Sequence, residues 1–400
     1  MDGLVRGGAS GKARAALDEL AGGLGDSGLF VPIAVAMIAL NGLNATAVFV
    51  VTGLVYAGTA LCFRVPVPVQ PLKAFAAAAI ALRLSAETLA AGALLMAAAM
   101  AVLAAGGLAD WLARRFPQVL VRGIQASVAL LLAKAAIELA ERGNWPGLPP
   151  IDPGLSLALA GGACALLFAC RWLSLPGSLL VLGAGAAVGL AVGGAPGLDV
   201  GPQPVSLSIP GGDAFALALT SLVVAQLPLT FGNAVVATVD AERSYYGLAA
   251  RRVRPARLAL SIAAANVLAG LSGALPLCHG SGGVTAHYKL GARTGRATLL
   301  AGVLFVALGI GLGSSLLALL QVLAPGALAG MLAFVAIQHG LLAMRLDRLD
   351  DRLVAAGAGL TTLLSGNLAI GFGAGAVAVA ARGAWRRLSG RALPAAPPPA

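Results

Sequence analysis

Between residues 28 and 382 the chain is a succession of apolar blocks, most of them as long as a helix must be to cross a bilayer. A helix rises 1.5 Å per residue, so ~20 residues traverse ~30 Å of hydrocarbon. The blocks fall at 28–44, 46–62, 71–83, 86–106, 118–140, 154–171, 177–193, 214–232, 256–274, 282–291, 297–319, 324–343, 352–364 and 366–382. Composition points the same way: 59% of residues are hydrophobic and 11% are charged, where a soluble domain carries about 25% charged residues. The expected fold class is an all-α polytopic membrane protein of about 14 segments, embedded in a lipid bilayer.

The net charge of +11 would suggest nucleic acid in a soluble protein. Here the basic residues sit in alternate loops: Arg64; Arg114 and Arg115; Arg171; Arg243, Arg251, Arg252, Arg254 and Arg257; Arg293 and Arg296; Arg345, Arg348 and Arg352. The opposite loops are poor in Lys and Arg, and the loop 194–213 carries only Asp199 and Asp213. That alternation is the positive-inside signal. It predicts both termini cytoplasmic, in the cell (inner) membrane, with no nucleic-acid partner. "ARRVRPAR" reads as a topology anchor. Residues 1–25 lack the long apolar core of a cleavable signal. Cys62, Cys164, Cys170 and Cys278 show no ligand spacing and read as packed thiols.

Two blocks, 71–83 and 282–291, are too short to span, and each follows a broken stretch. The first is preceded by "VPVPVQP" and the second by "ALPLCHGSGG". They are the third and tenth blocks. Because their offset is odd, the two halves run inverted in the membrane. Short, Gly/Pro-interrupted segments in matching positions point to a transporter site at the bilayer midplane. The expected organisation is a cytoplasmic segment 1–25, a first repeat 26–193, an extracytoplasmic loop 194–213, a second repeat 214–383 and a disordered cytoplasmic tail 384–400.

Irregular backbone at membrane depth must line a cavity or be buried in protein. A helix that starts there has N–H groups without partners and a partial positive charge. Two such starts approaching from opposite sides make an anion site. In the first, Gln70 and Pro71 precede the helix, and Pro71 suits its first position, where a missing N–H costs nothing. In the second, Ser281 is a candidate N-cap, and Gly282 and Gly283 let a ligand approach the backbone. Lys73 falls in the first turn, where a cation opposes the dipole and an intramembrane charge costs about 2.5–3.5 kcal/mol. A bound anion relieves both penalties. A purely structural Lys73 would instead need a fixed acidic partner, for which Asp26 is a candidate.

"PVPVQPLKAFAAAAIA" and "LPLCHGSGGVTAHYKLGARTG" resemble the two signatures of the molybdate transporter family, a branch related to the sulfate permeases. "GDSGLFVPIAVAM" and "QLPLTFGNAVVATVD" resemble the segments that open each half, and the likeness runs from about Gly25 to Ala380. The resemblance implies seven plus seven inverted segments, a core domain moving against a gate domain, and substrate held by the first, third, eighth and tenth segments. It brings in Thr230 and Asn233 of the eighth segment, beside Gln226. "GDSGLF" departs from the family's Gly-Asp-Leu-Gly-Thr, and the eighth segment lacks the carboxylate that related proton-coupled carriers often have there.

"CHGSGG" fails the G-x-S-x-G spacing of a nucleophile elbow, so no enzyme is expected. His279, His287 and Cys278 have no second cluster to make a metal site. His279 fits better as a polar wall of the substrate site, and His339 as a structural histidine. The reading is a secondary transporter of a tetrahedral oxyanion, molybdate first and sulfate next, without cofactor, alone or as a homodimer. An organic-anion or nucleobase carrier of the same fold, and an anion channel with weak sites in series, are the alternatives.

Overall fold

The computed structural model describes residues 19–20, 22–25, 27–113, 117–142, 151–173, 177–344 and 346–388. Asp26, most of the N-terminal segment and the end of the tail lie outside the described residues. Each apolar block forms a helix: α1 Ser27–Asn41, α2 Ala45–Phe63, α3 Lys73–Leu82, α4 Ala86–Ala104, α5 Gln118–Arg142, α6 Pro153–Leu173 and α7 Gly177–Gly193 in the first half. The second half has α8 (212–246), α9 Pro255–Ser272, α10 Ser281–Lys289, α11 Gly295–Gln321, α12 Pro325–Ala343, α13 Leu349–Ser365 and α14 Leu368–Leu388. This is the seven-plus-seven inverted repeat, with α3 and α10 as its short half-helices.

Local chemistry sets the ends. The Asn44 side chain accepts the Ala47 N–H at 2.9 Å and opens α2, and Ser85 does the same for α4 through the Thr88 N–H at 3.2 Å. Pro255 opens α9, and Gly273 at φ +66° closes it. The carbonyls at the end of α3 are met by Asn41, whose amide donates to Ala79 and Leu84 at 2.8 and 2.9 Å. The structure departs from the apolar blocks in two places. Helix α8 runs well past residue 232, and a short helix, Leu108–Ala113, precedes α5. Polar residues continue α8 because tertiary contacts hold it there, which hydropathy does not register.

The repeat is visible in the packing. Helix α2 lies along α11, and α4 lies along α9, which are equivalent pairs when each helix is exchanged for its counterpart seven positions on. Likewise α5 packs on α13 and α14, while α12 packs on α6 and α7. Helices α5–α7 and α12–α14 therefore form one packed group and the rest another, with each half of the chain contributing to both. At the α2–α11 contact a Cβ on Gly53 would lie 2.5 Å from the Gly302 carbonyl, and one on Gly302 would lie 2.6 Å from the Gly53 carbonyl. Backbones approach this closely only over glycine.

The connection at 194–211 is a strap without helix. Gln203 bonds Ala45 and Thr46 at the start of α2, and Gly201 bonds the Gly311 carbonyl of α11. On the opposite side, Glu19 accepts from Thr294, and Gly295 donates to the Arg64 carbonyl. The N-terminal segment and two arginine-bearing loops thus share one side. Gly302→Val should lower stability by about 1–3 kcal/mol through overpacking. Gly58→Ala, with open space around it, should leave melting in detergent unchanged.

Candidate functional site

The extended stretches before α3 and α10 pair with each other. Gln70–Pro71 (β1) and Leu277–Cys278 (β2) run antiparallel, with Gln70 opposite Cys278 and Pro71 opposite Leu277. Leu72 N–H adds a bond to the Pro276 carbonyl at 3.1 Å. Buried groups pin both strands. Asn266 of α9 bonds the Leu277 carbonyl and N–H at 2.6 and 3.2 Å, and the Tyr56 hydroxyl donates to the Val69 carbonyl at 3.2 Å. The backbone that two broken stretches would leave unpaired is satisfied inside the protein, as lipid demands.

The pairing brings the two helix starts together. Leu72 is the N-cap of α3, and Gly280 is the N-cap of α10; neither makes a side-chain cap bond. Pro71 therefore belongs to the strand rather than to the first helical position, and Ser281 is the first residue of α10 rather than its cap. The amide of Gln70 lies against Gly280, where a Cβ would come within 2.3 Å of its Oε1. A side chain at Gly280 would have to displace the Gln70 amide.

Helix α8 reaches both starts. Gln226 Oε1 accepts the Phe75 N–H at 2.8 Å, while its Nε2 donates to Thr230 Oγ at 2.7 Å. The Ser281 hydroxyl donates to Asn233 Oδ1 at 2.9 Å. Around both contacts α8 loosens into π-helical turns, Leu219–Val223 and Thr230–Ala237, a deformation frequent at functional sites. With Phe75 taken by Gln226, and Gly283 and Val284 bonded to the Gly280 carbonyl, the N–H groups of Lys73, Ala74, Ser281 and Gly282 have no partner among the described residues. Gly282 is exposed with open space beside it.

Lys73 is half-buried at the first position of α3. Among the described residues it forms no ion pair. The proposed partner Asp26 lies outside the described residues. His279 is buried, with Nδ1 2.8 Å from the Pro68 carbonyl and Nε2 3.1 Å from Ser261 Oγ. A carbonyl can only accept, so Nδ1 carries the proton and Nε2 accepts from the serine. His279 thus braces the two extended stretches with both nitrogens in use. Gln226 reaches α3 although nothing in its local sequence pattern marks it for that role. No group of three metal-ligating side chains is present among the described residues. Two cavities lie elsewhere, one of about 490 Å³ between α2 and α9 and one of about 570 Å³ among α5, α6 and α12, both walled mainly by apolar residues.

Comparison with known proteins adds the context. Residues 18–132 and 218–338 match a family described as molybdate transporters of the MFS superfamily. Molybdate transporter 1 of Arabidopsis thaliana is 30% identical across 96% of this chain and 92% of its own length. Molybdate transporter 2 of the same plant is 26% identical across 90% and 86%. Among solved structures, the transmembrane domain of the cyanobacterial bicarbonate transporter BicA superposes with a TM-score of 0.67 at 16% identity, covering 89% of this chain and 97% of that one. The murine anion transporter Slc26a9 in its inward-facing state gives 0.62 at 14% identity, covering 92% and 68%. At these identities the structural neighbours establish the fold.

Gln226→Leu removes the only bond described for the Phe75 N–H and should cost about 1–3 kcal/mol, read as a lower melting temperature. Gln226→Glu keeps the acceptor for Phe75 but loses the donation to Thr230, and should melt between Gln226→Leu and wild type. Its charge at the α3 start should compete with a bound anion, weakening anion binding in a direct binding assay.

Proposed function

Because the chain belongs to the molybdate transporter family, and is an anion transporter rather than an enzyme, we propose that it carries a tetrahedral oxyanion by alternating access, with molybdate first and sulfate second. One observation carries the reading: two uncapped helix starts, locked together by a strand pair, sit beside a lysine with no ion-pair partner among the described residues. Each start offers two N–H donors without a partner among the described residues, and the positive end of a dipole. Lys73 adds a full charge. A dianion satisfies all three at once, and no carboxylate is needed to balance the site.

In this reading Lys73, Gln70, Ser281, Gly282 and Gly283 surround the anion. Pro71 sets the strand that aims α3. Asn233 holds α8 against α10, Thr230 orients the Gln226 amide toward α3, and His279 keeps the wall of the site rigid. The group α1–α4 with α8–α11 is the core that carries the site, and the other six helices are the gate. The repeats span 26–193 and 214–383, joined by the 194–213 strap. The shared side of Glu19, Arg64 and Thr294 supports the assignment of that side, with both termini, to the cytoplasm of a cell membrane.

Lys73→Gln should abolish uptake of labelled molybdate into proteoliposomes while expression stays at wild-type level; uptake at the wild-type rate would remove Lys73 from the substrate. Competition checks the ligand. Asn233 Oδ1 and both His279 nitrogens are already engaged, so a protonated oxyanion finds few acceptors. At pH 7.5 sulfate and tungstate should displace molybdate, and phosphate should do so about ten- to a hundredfold less well, the equivalent of about 1–3 kcal/mol for an unpaired buried proton. Inhibition by uracil or benzoate alone would point to an organic substrate.

A further inference from the structure

Glu242 is a carboxylate that the oxyanion site does not use. It lies on α8 nine residues beyond Asn233, about 13 Å further along the helix. It is 0% exposed, and among the described residues neither of its oxygens has a hydrogen-bond partner. Buried carboxylates are almost always paired or hydrogen-bonded, because an isolated ionised group in a dry interior is costly. An orphan of this kind calls for an explanation.

Its surroundings supply one. The stretch Thr238–Tyr246 packs along α10. At one end of this α8–α10 contact, Ser281 donates to Asn233. At the other end, Tyr245 stacks on Tyr288 with ring centres 4.7 Å apart, Tyr246 meets Tyr288 edge-on at 5.5 Å, and Arg293 lies 4.0 Å over the Tyr288 ring. Glu242 sits between the oxyanion site and this aromatic cap. The charged and titratable groups on the elements packed around it are His287 and Tyr288 of α10, Arg251 and Arg252 of the turn after α8, Arg64 at the base of the first extended stretch, and Asp240, Arg243, Tyr245 and Tyr246 on its own helix. Arg293 and Glu19 lie beyond Tyr246. Among the described residues none of them bonds or pairs with Glu242. The pocket therefore suits an uncharged acid, and a carboxylate only when water reaches it.

We propose that Glu242 is the proton-binding site that couples oxyanion movement to a proton gradient. This rests on the oxyanion-carrier reading above. An arriving dianion competes for the Ser281 hydroxyl, shifts α10 against α8, and adds negative charge to the same helix pair. Both changes favour a neutral Glu242. The carboxylate takes one proton from water on the side where the anion enters. The neutral acid crosses with the loaded site, and the proton returns to water on the far side as the anion leaves, restoring the carboxylate. Each cycle then moves one anion and one proton, which halves the charge carried across the membrane.

The test is molybdate uptake into proteoliposomes of the full chain, with and without an imposed inward proton gradient. One coupled proton raises the accumulation ratio tenfold per pH unit. Wild-type protein should show a response of this order. Glu242→Gln should accumulate molybdate equally with and without the gradient, yet still exchange labelled for unlabelled molybdate across an equilibrated membrane. A gradient response in Glu242→Gln, or none in wild type that exchanges molybdate, overturns the proposal and leaves the carrier reading standing. Failure of wild type to exchange any inorganic oxyanion removes the carrier reading and the proposal with it. If Glu242→Gln does not fold, proton uptake on adding molybdate to unbuffered wild-type protein decides: close to one proton per anion bound is expected, and none overturns the assignment.

Discussion

The molecule depends on two very short strands. Antiparallel pairing of Gln70–Pro71 with Leu277–Cys278 satisfies backbone that would otherwise be stranded in the interior, and it fixes where two helices begin. Because the strands are antiparallel, the helices leave the junction in opposite directions with their positive ends together. The bonds from Asn266 of α9 and Tyr56 of α2 then hold the two stretches from neighbouring helices, and His279 ties one stretch to the other. None of these groups needs to touch an anion. They keep the donors still, so that little reorganisation accompanies binding.

Helix α8 has a different task. It contacts α3 through Gln226 and α10 through Asn233, and it does so across π-helical turns that a straight helix would lack. One segment therefore senses both halves of the junction. The asymmetry between the starts follows from this. On α3, Gln226 consumes a backbone donor outright; on α10, α8 engages only a side-chain hydroxyl, which can rotate away. The α10 face is the more adaptable wall, and the absence of side chains at Gly282 and Gly283 fits that role.

Much of this was legible from the sequence. Every one of the fourteen apolar blocks forms a helix, because hydropathy over ~20 residues is what the bilayer selects; the polar extension of α8 past residue 232 is what hydropathy missed. The two half-helices were legible because Pro and Gly must break the pattern where backbone leaves the helix. What escaped was long-range pairing. Nothing in "VPVPVQP" says that it finds "ALPLC" across some two hundred residues, and the link from Gln226 to Phe75 spans 151 positions. The ends of the half-helices shifted for a local reason. Pro71 is a good first helical residue and Ser281 a good N-cap in isolation, but the strand pair takes Pro71, and the cap positions fall to Leu72 and Gly280.

The exchanged packing of the repeats has a consequence for how the protein is made. Helix α2 finds its main partner, α11, only after the chain has grown from Phe63 to Gly295. At a synthesis rate of about 5–20 residues per second, α2 waits roughly 10 to 50 s for that partner. During this time the glycine face at Gly53, shaped to receive another backbone, has only lipid or the insertion machinery to cover it. The first repeat cannot complete a core on its own, and neither the strand pair nor the anion junction exists until its second strand is inserted. The ribosome must deliver nearly three quarters of the polypeptide before the part that binds substrate can assemble at all.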